Sequence, residues 1–168
     1  FYDSLLTFET PDCKILNLND CPIKDSDELE KFRKQYGTFD VLLTQFSYAA
    51  WKGGIENKIY RKIAADEKLE VVERQARILG CKFVIPFASF VYFSNELNFY
   101  MNDSINTPEK VINFFSDKKT KAIFLSPGEI QEINNLQQEQ LSLDFWKEKY
   151  NNINTIKKQQ NLLRKNLI

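Results

Sequence analysis

DVLLTQF, residues 40–46, is a short and nearly continuous apolar run. Such a run fits a strand covered on both faces, as in a parallel sheet. It leads into SYAAWKGG, residues 47–54, where small residues and paired glycines allow close backbone approach. From Glu56 to Leu79, Ile59, Ile63, Leu69, Val72, Ala76 and Leu79 recur at roughly helical spacing with charges between them. Gly80 follows as a natural left-handed stop, and Lys82–Ile85 is a second apolar strand. Strand, helical crossover and strand make a βαβ unit, so the two strands are expected to be parallel.

Working outward toward the N-terminus, Ser4–Glu9 and Lys14–Leu18 read as strands of a hairpin joined at Thr10–Pro11–Asp12. Asn19–Asp20–Cys21–Pro22 closes the second strand with turn-favouring groups. Asp25–Ser26–Asp27 offers a cap for a helix over about Glu28–Tyr36, ended by Gly37. In the other direction, Pro86 lacks an N–H for the ladder. Beyond it, six rings from Phe87 to Tyr100 alternate with Ser89, Ser94, Asn95, Glu96, Asn98, Asn102 and Asp103. Thr107–Pro108–Glu109 starts a helix to about Phe115, and Lys121–Leu125 is another buried-type strand, stopped by Ser126–Pro127–Gly128. From Ser142 the composition turns to Asn, Gln and Lys, and Ser142 or Asp144 can cap a helix through about Leu167. This gives residues 1–135 as the main body and 136–168 as a helical tail that packs on the body or on a partner.

Composition excludes several classes. The 168 residues suffice for a core, and 43% apolar with 27% charged residues is ordinary for a globular chain. Lys plus Arg equals Asp plus Glu, at 23 each, so no general pull toward nucleic acid or a membrane is expected. Cys13, Cys21 and Cys81 are odd in number with no CxxC pair, which fits a reducing cytoplasm better than a disulfide framework. There is no histidine, the commonest metal ligand and general base. No signal peptide is legible, and an opening of Phe1–Tyr2–Asp3 reads as a piece of a longer protein.

Candidate chemistry is weighed residue by residue. Asp20, at a strand end, is either an Asx-turn residue or a carboxylate metal ligand projected into a cleft. Without a histidine to activate it, Cys21 reads as a small core or turn residue. Asp40 reads as a turn residue. Ser47 and Trp51 suit a substrate-facing loop or a plain strand-to-helix connection equally well. Ser89, Asn95, Glu96 and Asn98, with Asp103, either satisfy backbone groups of an irregular segment or hold a polar ligand among water-excluding rings. The density of rings beside hydrogen-bonding groups favours the ligand. Lys157, Lys158, Arg164 and Lys165 read as a solvated helix face. No phosphate-binding glycine loop and no Ser–His–Asp or Cys–His set can be assembled.

Asp3–Ser4, the strand Lys14–Leu18 and Asn19–Asp20–Cys21 resemble the opening of the second half of the metallo-β-lactamase fold. Asp40–Leu43, Phe46–Trp51 and Lys82–Ala88 are similar to the branch that contains the hydrolase-like domain of CMP-N-acetylneuraminate hydroxylase and its bacterial relatives. The resemblance covers roughly residues 3–130, and its most specific pieces are Ile85–Ala88 and Asn98–Asn106. It implies an α/β (α+β) chain: the C-terminal half of an αββα sandwich, a mixed sheet flanked by helices, with an added C-terminal helix. It also implies a divalent metal, zinc or iron, whose bound hydroxide is the nucleophile in relatives. By position, Asp20 matches the aspartate that can bridge two metals, and Asn95 stands where a histidine is expected. The family's HxHxDH motif is missing from this chain.

Two expectations follow from the resemblance. The chain is part of a metal-dependent hydrolase-like protein, incompetent alone, with Ser47, Trp51, Ser89, Asn95, Glu96 and Asn98 on the substrate side and no catalytic residue of its own. Alternatively it is a degenerate binding or scaffold module. The expected partners are the missing N-terminal half of the same fold, or a second copy through the exposed sheet or the tail helix; neither nucleic acid nor membrane is expected.

Overall fold

A computed structural model describes residues 4–19, 21 and 23–165, with side chains described to residue 153 and at 155. Five strands form one mixed sheet in the order β1 (Leu6–Glu9), β2 (Lys14–Asn19), β3 (Val41–Thr44), β4 (Phe83–Pro86), β5 (Lys121–Ala122). β1 pairs antiparallel with β2 as the expected hairpin, and every later pairing is parallel, including β3 with β4. The crossovers are α1 (Ser26–Tyr36), α2 (Lys58–Leu79) and α3 (Pro108–Phe115). A last helix, α4 (Gln140–Lys165), follows the sheet. No helix of the described residues is long and apolar enough to cross a membrane.

Local chemistry accounts for the element ends. Gly80 takes φ 78° after α2 and donates its N–H to Ala76 and Arg77 carbonyls, and a Cβ there would meet Thr38 Cγ2 at 3.1 Å. Thr107 caps α3 by accepting from Lys110 N–H, with Pro108 in the first turn. β5 is shorter than the expected Lys121–Leu125. Phe83 and Phe87 N–H groups face β3, donating to Asp40 and Thr44 carbonyls, so the nitrogen of Pro86 faces β5 and has nothing to donate. The ladder stops there, and the side-chain amide of Gln138 serves Phe124 instead, at 2.7 Å to its N–H and 3.1 Å to its carbonyl. α4 starts two residues before the expected cap, because Ser142 points its hydroxyl at Glu129 rather than at the helix N-terminus.

Strand neighbours in register share a face. Leu16, Leu42, Val84 and Ala122 lie side by side and are 0–6% exposed. They form one core with Leu29 of α1, Leu69, Val72 and Ala76 of α2, and Val111 and Phe115 of α3. All three crossover helices therefore cover the same face, as right-handed connections between strands in sequential order require. Leu143 and Trp146 of α4 pack against the rim of this core, so the tail helix docks on the body. The opposite face carries Leu6, Phe8, Ile15, Val41, Leu43, Phe83 and Ile85, together with Asn17 and Lys121. There Leu6 and Phe8 are 52% and 51% exposed, Ile15, Leu43, Phe83 and Ile85 are half-buried, and Val41 is buried. The sheet is thus apolar on both faces but helix-covered on one.

Candidate functional site

The C-terminal ends of parallel strands leave a crevice where side chains from several strands converge. Here it opens beside β2 and β3 and against α2, with a volume of about 400 Å³. Asn19 and Cys21 line it from the end of β2, and Thr44, Ser47 and Tyr48 from the end of β3. From α2 come Ala64, Lys68, Val71 and Gln75, which share a helix face by their spacing. Lys24 and Lys52 also line it, and among the described residues they and Lys68 share the crevice with Glu67.

The floor of the crevice is a fixed polar layer. Thr44 is 3% exposed, and its hydroxyl donates to Gln75 Oε1 at 3.3 Å. Gln75 in turn donates to the Ile23 carbonyl at 2.7 Å. Beneath the β3 end, Ser89 Oγ accepts from the N–H groups of Phe46 and Ser47, at 2.7 and 3.0 Å. Ser89 follows Ala88, whose φ of 58° is costly for a residue with a Cβ. That turn aims one hydroxyl at two buried donors that would otherwise be orphaned. Asn106, fully buried, completes the layer. Its N–H donates to Ser47 Oγ, and its amide donates to the Phe46 and Ala65 carbonyls at 2.7 and 2.8 Å.

A second knot fastens the neighbouring loops. Arg61 of α2 has a side chain only 1% exposed and pairs bidentately with Asp103, at 2.9 and 2.7 Å. It also donates to the carbonyls of Gly54 and Ile55 and lies over the Tyr100 ring. Hydrogen bonding to Arg61 holds the Asp103 carboxyl below its ordinary range despite partial burial. Tyr48 donates to the Met101 carbonyl at 2.7 Å, and burial pushes its phenol up to about 12, so it is a donor and not a base.

The structure brings some of the expected site residues together and separates others. Ser47 lines the crevice, and Ser89 supports it from below. Asp20 lies outside the described residues, between Asn19 and Cys21, which both line the crevice. Trp51 is 70% exposed, with its indole N–H on Tyr100 Oη at 3.3 Å. Asn95 and Glu96 are exposed, and Asn95 accepts from Leu97 N–H in a local turn. Asn98 is half-buried, and neither it nor Asn95 or Glu96 lines the crevice. Asp40 proves to be a sheet fastener, accepting from Lys14 N–H and Lys82 Nζ, which lower its carboxyl pKa in that order of effect.

Sequence reading passed over Lys24, Thr44, Lys68, Gln75, Arg61 and Asn106. The helical spacing of Ala64, Lys68, Val71 and Gln75 was a usable signal; nothing local marks Arg61 as buried. Cys21 and Glu67 are the thiol and carboxylate of the crevice, and among the described residues no group of three or more His, Cys, Asp or Glu could hold a metal. The described donors therefore do not fit a complete zinc or iron centre, and no chemical step is routed through one. No protein-family model matches the chain, and no curated protein matches its sequence.

Proposed function

We propose that this chain is the C-terminal part of a metallo-β-lactamase-fold, metal-dependent hydrolase-like protein, without catalytic competence on its own. The observation that carries the reading is the one-sided sheet. Helices cover Leu16, Leu42 and Val84, while the apolar face bearing Leu6, Phe8, Leu43 and Ile85 has the character of a surface meant for a second layer. In an αββα sandwich that layer is the other half of the fold, which also carries the histidines this chain lacks. Asp20 is the carboxylate offered to zinc or iron, and its two chain neighbours line the crevice. Ser47 and the lysines of the crevice wall supply the substrate side, where Ser89 fixes the backbone. Three unpaired thiols, two of them buried, suit a reducing cytoplasm.

A second reading, a degenerate binding or scaffold module, is favoured by Asn95, a neutral amide held in a local turn where relatives are expected to carry histidine. The test is to express the coding sequence with everything upstream of Phe1 and to measure bound metal by mass spectrometry. An upstream HxHxDH with stoichiometric metal that falls in Asp20→Asn supports the enzyme; a protein with neither supports the scaffold. Metal-dependent turnover by residues 1–168 alone, surviving rigorous purification, overturns the claim of incompetence.

A further inference from the structure

The fold treats the two edges of its sheet differently. Beyond β5, the side-chain amide of Gln138 accepts from the Phe124 N–H at 2.7 Å and donates to its carbonyl at 3.1 Å, standing in for a further strand. Among the described residues β1 has no such guard. Leu6–Glu9 are all exposed, and they include no proline, lysine or bulge of the kind that blunts a free edge.

The pairing of β1 with β2 decides which backbone groups stay open. Thr10 N–H donates to the Cys13 carbonyl. Lys14 N–H and C=O are both taken by Asp40, on the β3 side. Hydrogen-bonded pairs alternate along an antiparallel ladder, so Phe8 bonds to Ile15 and Leu6 to Asn17. The N–H and C=O of Thr7 and Glu9 therefore point away from the sheet, and no hydrogen bond within the described residues reaches them.

We propose that this edge pairs with the β1 edge of a second copy, antiparallel and in register about Thr7, so that two five-stranded sheets join into one. In that register the edge is complementary to itself. Thr7 lies opposite the partner's Thr7, Leu6 opposite the partner's Phe8, and Phe8 opposite the partner's Leu6; such Thr–Thr and aromatic–aliphatic pairs stabilise a sheet. Charge selects the same register. Glu9, the one charge on β1, falls opposite the partner's Leu5, four positions from its own image, and Lys14 already holds it at 3.3 Å. Centring on Glu9 instead would set two carboxylates face to face and bring in Pro11, which has no N–H to give. The joined sheet also shields Leu6 and Phe8, each about half exposed in one copy. With only Leu6–Glu9 on each side, the dimer is weak and depends on concentration. An added strand lies in the plane of the sheet, whereas a second layer lies on its face, so the proposal is independent of the hydrolase reading.

The test is sedimentation velocity on residues 1–168 over a concentration series. Thr7→Pro is the first variant. The Thr7 N–H is unused within one chain, so proline leaves the fold and the apolar face as they are but removes a donor and blocks the edge. It should weaken the dimer at least about tenfold, with unchanged thermal unfolding. Thr7→Cys should give a disulfide-linked dimer on mild oxidation, because residues directly paired across an antiparallel ladder lie within disulfide reach. The native chain, with Cys13, Cys21 and Cys81, should stay unlinked under the same conditions. A native chain that is monomeric throughout the series overturns the proposal, as does a Thr7→Cys chain that remains unlinked. A Thr7→Pro dimer as tight as the native one overturns it in favour of contact through the sheet face. Should Thr7→Pro unfold, the cysteine result decides alone.

Discussion

Single residues fix the geometry around the crevice through hydrogen bonds that have no substitute. Ser89 is 3% exposed and serves two backbone donors. Ser89→Ala should therefore cost about 1–3 kcal/mol, the penalty for leaving a buried donor unsatisfied, seen as a lower midpoint in urea. Arg61 and Asp103 behave differently because a charge is involved. Removing the carboxylate in Asp103→Asn leaves a buried guanidinium without its counter-charge. The expected loss is about 3 kcal/mol, near the low end for buried pairs because Asp103 keeps 26% of its side chain in solvent. The sign with pH follows from linkage. The folded carboxyl titrates below its ordinary value of 3.8, so its stabilisation is complete above that value and drains away as pH falls through the folded pKa. Acid unfolding of the native chain should be steeper than that of Asp103→Asn, measured as midpoint against pH.

At the level of elements, α4 is held by side chains rather than by its own propensity. Trp146 stacks on Phe90 with ring centroids 3.8 Å apart and donates its indole N–H to the Leu125 carbonyl at 3.0 Å. Phe90 in turn meets Phe46 and Phe124 edge-on. Trp146→Ala should cost about 3 kcal/mol and loosen the helix from the body, read by thermal unfolding and by protease cleavage after residue 140. This dependence explains what could be read in advance. The hairpin, α1, α2 and α3 announce themselves through turn residues, caps and periodicity, because those signals act within a few positions of the chain. The end of β5 and the start of α4 depend on Gln138 reaching Phe124 and Ser142 reaching Glu129, contacts 14 and 13 residues apart that leave no local trace. The aromatic loop was legible as unusual but not in its purpose. Asn102 satisfies the backbone of Phe93 and Phe99, and Asp103 holds Arg61, so much of its polarity is spent on the loop itself. For Ser47 the sequence left a substrate-facing loop and a plain strand-to-helix connection level; the lysines that share its crevice were hidden, because their convergence depends on how α2 lies across the strand ends.

For the whole molecule, the one-sided sheet dictates behaviour in solution. A face carrying Leu6, Phe8, Leu43 and Ile85, bounded by the free edge of β1, will seek a cover. Residues 1–168 alone should self-associate at high concentration, and Phe8→Lys on that face should shift light scattering toward the monomer. A native chain that stays monomeric would count against both the oligomer and the missing layer.

The Arg61 knot has a kinetic consequence. One guanidinium ties the carbonyls of Gly54 and Ile55 to Asp103, and Tyr100 closes the ring by donating to the Gly53 carbonyl at 2.8 Å. Two segments almost fifty residues apart thus have no way to loosen separately. In deuterium uptake their amides should become labelled as one cooperative unit, with a common opening free energy, and Asp103→Asn should split that unit in two.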